Sequence, residues 1–134
     1  MRQMLLQYGV VFAIFLALDA VWLTNAGRLI YVPEIGSLLR DKPNFAVAFL
    51  FYAIFALGLL VFVVTPQLQA TSIDKVFLLG GFFGLVAYAT YDFTNLATLK
   101  GFTTRVALID LAWGTVLSGT VSAASVWAIR LLKI

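Results

Sequence analysis

The chain has 134 residues, of which 63% are hydrophobic and only 11% are charged, whereas soluble domains average about 25% charged residues. The mean hydropathy is +1.03, and most apolar residues fall in blocks of about 20, the length that spans a bilayer core. A soluble fold of this size would expose too much apolar surface to water. The composition therefore excludes a soluble protein and predicts one integral membrane domain over residues 1–134.

The chain contains neither Cys nor His. Their absence excludes disulfides, thiol nucleophiles, His-ligated haem or zinc, and a Ser-His-Asp triad. A net charge of +3 suits contact with anionic lipid headgroups. Because the basic residues are scattered over loops and ends, we do not expect a nucleic-acid partner.

Four apolar blocks predict an all-α bundle of four transmembrane helices. Arg2 precedes the first block as in a secretory signal, but Asp19 interrupts this block and its length suits a full span. Proline or cap-forming residues stand at most of the limits. The four predicted helices cover about residues 4–26, 44–64, 73–99 and 103–130.

The first loop, residues 27–43, contains the sequence "PEIGSLLRD". Proline is favoured in the first turn of a helix, and here Pro33 begins a short amphipathic stretch. We therefore predict a short helix lying at the membrane interface, with Ile35, Leu38 and Leu39 towards lipid. The two other loops are short, so consecutive helices should pack as antiparallel neighbours.

Small residues recur at four-residue spacing in three of the predicted helices. In lipid, such stripes allow helix backbones to approach closely. The stripes are Ala13 and Ala17, then Gly80 and Gly84, then Thr115, Gly119 and Ala123. The second span lacks such a stripe and is apolar all round, with Tyr52 as its only polar side chain. We therefore predict that this helix lies at the periphery and makes apolar contacts alone.

An even number of spans places both chain ends on one membrane side, called side A here, and the first and third loops on side B. Side A has the basic residues Arg2, Lys75, Arg130 and Lys133, and side B has Arg28, Arg40, Lys42, Lys100 and Arg105. Four against five gives no positive-inside bias, so the orientation is left open.

Three acidic residues lie within the spans, and all three are at one depth. Asp19, Asp92 and Asp110 are each seven residues from the side-B end of their helix. At a rise of about 1.5 Å per residue, they lie roughly 10 Å inside the boundary. A carboxylate that faces lipid is costly, so the three should converge in one polar pocket. Whether the acids form a ligand pocket or only link helices by hydrogen bonds is left open.

Polar and aromatic residues accompany the three acids. Tyr88, Asp92 and Asn95 share one face of their helix, and Tyr88 or Asn95 is expected to hydrogen-bond into the cluster. In the motifs "DAVW" and "DLAW", Trp22 is expected at the interface and Trp113 in the pocket wall. Oxygen ligands would suit Mg²⁺, Ca²⁺ or Mn²⁺, but we assign no metal site. The predicted ligand-binding residues are Asp19, Tyr88, Tyr91, Asp92, Asn95, Lys100, Arg105, Asp110 and Trp113, with Lys100 and Arg105 as counter-charges.

The runs "AYATYDFTNLATLKG" and "DLAWGTVLSG", and more loosely "LDAVWL" and "LLRDKPNF", resemble a bacterial family of small four-helix membrane proteins catalogued as a domain of unknown function. Members usually have Trp after the Lys-Gly pair, where this chain has Phe102. The resemblance covers essentially the whole chain and implies the same fold in the bacterial inner membrane. It points to Asp19, Asp92, Asn95, Lys100, Asp110 and Trp113, and it supplies no activity and no cofactor.

Three functions follow from these patterns. The leading prediction is binding or transport of a cation, a proton or a lipid headgroup, and transport would require a homodimer because four helices leave little room for a pore. An accessory subunit of a larger membrane complex is the first alternative, since the apolar second span suits contact with lipid or a partner. The other is a lipid-modifying enzyme with Asp92 or Asp110 as general base and Lys100 and Arg105 holding a phosphate.

Overall fold

The computed structural model describes residues 1–134 and is helical, without β-strands. Four helical stretches are long and apolar enough to cross a membrane, which confirms the predicted all-α fold with four spans. The long helices are α1 (Arg2–Ala26), α3 (Phe45–Leu59), α4 (Ile73–Thr98) and α5 (Thr104–Leu132), and a short helix, α2, covers Val32–Ile35.

Helix α1 continues into the first loop without a break. Gly27 keeps a right-handed helical conformation, and a π-helical turn over Gly27–Tyr31 leads directly into α2. Pro33 lies in the first turn of α2, as predicted. The predicted short helix therefore exists, but it extends α1. The π turn carries Tyr31 towards α5, where its hydroxyl bonds Asp110.

The side chains of this extension differ from the predicted pattern at one position. Leu38 and Leu39 are exposed, as expected for residues at lipid. Ile35, which was predicted to face lipid, is instead buried in a small cluster with Phe102 and Val106. The extension therefore packs against the beginning of α5.

The second span also continues past its α-helical part. Asn44 caps α3 by accepting a hydrogen bond from the Val47 amide. Beyond α3 the chain forms a π-helical turn over Leu60–Val64 and a 3₁₀ turn over Thr65–Gln67. The Leu60–Val64 turn packs against α4 and α5 near side A. Much of the apolar core is gathered around it, since Leu60, Val63 and Val64 are all buried.

Helices α4 and α5 make the most extensive contact in the molecule. Gly80 and Gly84 lie directly against Ser118 and Ser122, so that a Cβ atom at either glycine would collide with a serine side chain. Gly119 approaches the Phe77 carbonyl oxygen, which an added Cβ would meet at 2.8 Å. The glycine stripe of α4 thus acts as predicted. The predicted stripe of Ala13 and Ala17, in contrast, is exposed in this chain.

The bundle is closed on side A and open towards side B. On side A, the Arg130 guanidinium donates to the carbonyl oxygens of Gln67, Leu68 and Ala70, which ties α5 to the second loop. Helix α3 packs against α1 but makes little backbone contact with α4. Because only the Leu60–Val64 turn reaches α4 closely, α3 and α4 separate towards side B.

Candidate functional site

Asp19 links three helices and has both carboxylate oxygens satisfied. Its side chain is buried, with 6% exposed. Tyr52 on α3 donates its hydroxyl to one oxygen at 2.5 Å, and Trp113 on α5 donates its indole N–H to the other at 3.0 Å. The prediction that the second span makes apolar contacts alone is therefore wrong. Tyr52 lies seven residues after Phe45, the start of α3, and so at the depth of the aspartates.

A pair of stacked indoles joins Asp19 to Asp110. The rings of Trp22 and Trp113 lie 4.4 Å apart at an angle of 8°. Trp22 donates its N–H to the Tyr31 hydroxyl at 3.0 Å, and Tyr31 donates to Asp110 at 2.5 Å. Trp22 thus belongs to the internal network, and the prediction that it anchors the helix at the interface is wrong.

Asp92 differs from Asp19 because no donor reaches it. Its side chain is 0% exposed, and neither carboxylate oxygen accepts a hydrogen bond from an N–H or O–H group. Across the α4–α5 contact Asp92 lies beside Asp110, and the two residues line the same cavity. Buried polar groups without hydrogen-bond partners are rare in folded proteins, so the Asp92 carboxylate is unusual.

The predicted counter-charges lie elsewhere. The single salt bridge of the molecule joins Arg105 to Glu34 at 3.0 Å, and the Arg105 side chain is 66% exposed. Lys100 is exposed and makes no salt bridge. The prediction that Lys100 and Arg105 neutralise the aspartates is therefore wrong, and the Asp92–Asp110 pair has no basic partner within the chain.

Two cavities of about 420 Å³ each lie beside Asp110, and the second also reaches Asp92. The first lies between α3 and α4 and is lined by Phe51, Ala87, Tyr88, Tyr91 and Asp110. The second lies under the first loop at side B, where its lining includes Tyr31, Leu39, Phe102, Tyr91, Asp92 and Asp110. Both sizes fall within the range of ligand pockets. Tyr91 and Asp110 line both cavities, so they form the partition between the two.

The model of a family described as "Predicted membrane protein (DUF2177)" matches residues 4–127, nearly the whole chain. The chain belongs to this family. Membership in DUF2177 agrees with the four spans and with the resemblance noted from the sequence, and the family description names no activity. No curated protein and no solved structure matches the chain.

In this DUF2177 member, the other predicted site residues lie around the acid pair without bonding it. Neither Tyr88 nor Asn95 makes a hydrogen bond to an aspartate. The Tyr88 ring packs over Gly114, where a Cβ atom would collide with it, and meets Phe55 edge-on at 6.1 Å. The Tyr91 ring meets Phe102 edge-on at 6.2 Å. Tyr88 and Tyr91 therefore line the cavity, whereas Tyr31 and Tyr52 donate the hydrogen bonds to Asp110 and Asp19.

The three aspartates belong to one connected region of the bundle but differ in their contacts. Asp92 and Asp110 face each other, whereas Asp19 is joined to them through the two indoles and Tyr31. No group of three or more acidic, His or Cys side chains is placed to hold a metal ion. All three carboxylates point into the bundle, as predicted. Asp92 and Asp110 thus lie side by side, whereas Asp19 has hydrogen-bond donors of its own.

The network limits where protons can move. An indole nitrogen donates a hydrogen bond and accepts none, so a proton cannot be relayed through Trp22 or Trp113. Proton exchange through these side chains is therefore confined to Tyr31, Asp110 and Asp92 and does not extend to Asp19. The arrangement offers hydrogen-bond acceptors, aromatic walls and no cation, which suits a ligand that brings donors or positive charge.

Proposed function

We propose that this membrane protein binds, at Asp92 and Asp110, a ligand that supplies hydrogen-bond donors or positive charge. Ligands of this kind are a proton, a small cation or the donor part of a lipid headgroup. The unpartnered carboxylate of Asp92 is the observation that carries the proposal. A charged side chain in the centre of the bilayer costs at least about 2.5 kcal/mol on insertion scales. A ligand that binds the Asp92 carboxylate would offset this cost.

The contrast with Asp19 supports a ligand over a purely structural role. An acid that only links helices is expected to have donors, and Asp19 has two of them on two different helices. Asp92 lies at the same depth and contributes no hydrogen bond to helix packing.

Binding is favoured over transport within one chain. The side-B cavity leads to Asp92 and Asp110, whereas the α4–α5 contact towards side A is closed by Gly80, Gly84 and the facing serines. Passage to side A would need a second copy of the chain. The setting that we propose is the bacterial inner membrane, with membrane lipids around the bundle.

Tryptophan fluorescence offers a direct test, because Trp22 is bonded to Tyr31 and through it to Asp110. The protein is placed in phosphatidylcholine nanodiscs as the Trp127→Phe variant, since Trp127 is exposed and distant from the network in sequence. Ethanolamine, Na⁺ and pH are then titrated. We expect a saturable response to at least one of them, and its loss in Asp92→Asn.

Asp74→Asn is the matched control. It removes an acid from the first turn of the same helix, on side A and outside both cavities. This variant should keep the wild-type response. An unchanged response in Asp92→Asn, or no response to any of the three probes in the parent protein, would refute the proposal.

A further inference from the structure

We infer that the ligand is an amphiphile with a primary ammonium headgroup, and that it enters from the bilayer between α3 and α4. This inference rests on the proposed function and adds the ligand's chemical class and its route. Three observations carry it: a cavity that lies where two helices separate, a buried acceptor pair without a cation, and an aromatic floor that closes the cavity towards side A.

The route follows from how the second span packs. Helix α3 packs against α1, whereas its backbone makes little contact with α4, and the Leu60–Val64 turn that follows α3 is the part of the second span that approaches the α4 backbone. Between α3 and α4, on the side-B half, lies the cavity lined by Phe51, Ala87 and Tyr88. Phe51 is exposed on the outer surface of the bundle, which faces lipid in a membrane. A chain lying in the bilayer can thus reach Asp110 without crossing the headgroup layer.

A row of aromatic rings below the cavity limits how far a ligand can move towards side A. Phe55 meets Tyr88 at 6.1 Å and Phe83 at 5.5 Å, and Phe83 stacks against Phe62 at 6.3 Å. This row of rings joins α3 to α4 below the cavity. An alkyl chain therefore leaves sideways into the bilayer, and only the headgroup enters the protein.

The headgroup follows from the chemistry of the acid pair. Asp92 offers two oxygens with no donor, and Asp110 has one donor, Tyr31. A primary ammonium carries three N–H donors and a positive charge, so it can bond both carboxylates and neutralise them. A quaternary ammonium has the charge without the donors, and an alcohol has a donor without the charge. A carboxylate or phosphate group placed here would be repelled.

The aromatic walls favour a cation as well. Tyr88 and Tyr91 line the cavity beside Asp110, and the faces of such rings attract ammonium groups. The alkyl chain adds no comparable preference, because the bilayer is as apolar as the cavity. Affinities must therefore be compared as mole fractions of ligand in the membrane, so that partitioning of the chain into lipid cancels.

The test uses the same nanodiscs and the same tryptophan signal, with four probes that share a dodecyl chain: dodecylamine, dodecyltrimethylammonium, dodecanol and dodecanoate. We expect dodecylamine to half-saturate at a mole fraction about tenfold or more below the other three, since each missing charge-assisted hydrogen bond lowers affinity by about tenfold. Equal potency of dodecylamine and dodecyltrimethylammonium would overturn the headgroup assignment.

Ala87→Phe tests the route, because it fills the cavity between α3 and α4 and leaves both acids in place. We expect it to weaken the response to dodecylamine about tenfold more than the response to ethanolamine, which reaches the acids from water through the side-B cavity. Ala97→Phe is the control, since Ala97 is an exposed residue of the same helix and lines neither cavity. Equal weakening of both ligands would overturn lateral entry.

A second measurement does not depend on the folding of variants. A dodecylamine with a diazirine on its chain should label α3 and α4 around Phe51 and Ala87 in the parent protein. Labelling confined to α1 and α5 contradicts the route. Phosphatidylethanolamine at the same mole fraction identifies the source of the amine: competition with dodecylamine indicates a phospholipid headgroup, and no competition indicates a single-chain amine.

The outcomes separate the two proposals. Absence of any response to ethanolamine, Na⁺ or pH refutes the proposed function and the inference with it. A response to ethanolamine that is lost in Asp92→Asn, together with equal potency of the four dodecyl probes, leaves the proposed function standing and removes only the inference.

Discussion

The two halves of the α4–α5 contact differ in whether their buried polar side chains have hydrogen-bond partners. In the side-A half, the hydroxyls of Ser118 and Ser122 donate to carbonyl oxygens of their own helix at 2.7 Å, four residues back. Gly80 and Gly84 lie directly against these serines. In the side-B half, Asp92 faces Asp110 and accepts no hydrogen bond from a donor group.

This difference in hydrogen bonding indicates that the side-A half stabilises the fold and that the side-B half is available for a ligand. Small residues and self-bonded hydroxyls allow close backbone packing, and Ser125 is the one buried hydroxyl of this half without a hydrogen-bond partner. A buried acid without a hydrogen-bond donor is locally unfavourable. Such residues are expected at functional sites, where the rest of the fold is stable enough to hold them. The side-A half thus builds the scaffold, and the side-B half holds the proposed ligand site.

The largest effect should come from breaking the scaffold. We expect Gly84→Leu to lower the free energy of unfolding by about 3 kcal/mol, because its side chain would overlap Ser118 and the Gly114 backbone. Gly9→Leu is the control, since nothing lies within 4 Å of a Cβ atom at Gly9. Unfolding in mixed micelles measures both. Equal stability of the two variants would mean that the α4–α5 contact is looser than the structure shows.

An intermediate effect, with opposite signs at two positions, should come from replacing one acid in each environment. Asp19→Asn weakens two charge-assisted hydrogen bonds, so it should destabilise the protein by about 1 kcal/mol. Asp92→Asn removes an unpartnered charge, and its new amide can donate to Asp110, so it should stabilise by up to about 1 kcal/mol. The same unfolding assay measures both variants. Destabilisation by both would show that Asp92 has a donor in the membrane.

The four spans, the depth of the three acids and the glycine contact of α4 were predictable, because helix length, apolar runs and small-residue spacing act locally along the chain. The partners of the acids were not. Tyr31 reaches Asp110 only because a π-helical turn extends α1, and no pattern in the residues around Gly27 predicted it. Tyr52 was visible in the sequence as the one polar residue of its span, at the depth of Asp19, and its depth was the overlooked signal.

Lys100 and Arg105 show why the charge and sequence position of a basic residue do not predict which acid it pairs with. Lys100 and Arg105 follow closely after α4 in the sequence, which suggested counter-charges for the acids. Arg105 lies in the first turn of α5 and bonds Glu34 on α2 instead. Water solvates an exposed guanidinium well, so there is little force drawing it into the bundle to reach a buried acid. Loop residues near an acid in sequence therefore gave no information about its pairing.

Effects of about 1 kcal/mol or less should come from the two arginines at opposite membrane faces, and they extend the contrast between the halves. Arg130 on side A donates to three backbone carbonyls, so Arg130→Gln should cost about 1 kcal/mol. Arg105 on side B makes one exposed ion pair, so Arg105→Gln should cost about 0.5 kcal/mol or less. Raising the salt concentration screens a surface ion pair, and the Arg105 effect should therefore vanish near 1 M salt, where the screening length is about 3 Å. The Arg130 effect should persist, because carbonyl acceptors carry no net charge. A larger, salt-independent loss at Arg105 would mean that side B is closed as firmly as side A, which is incompatible with a ligand entering there.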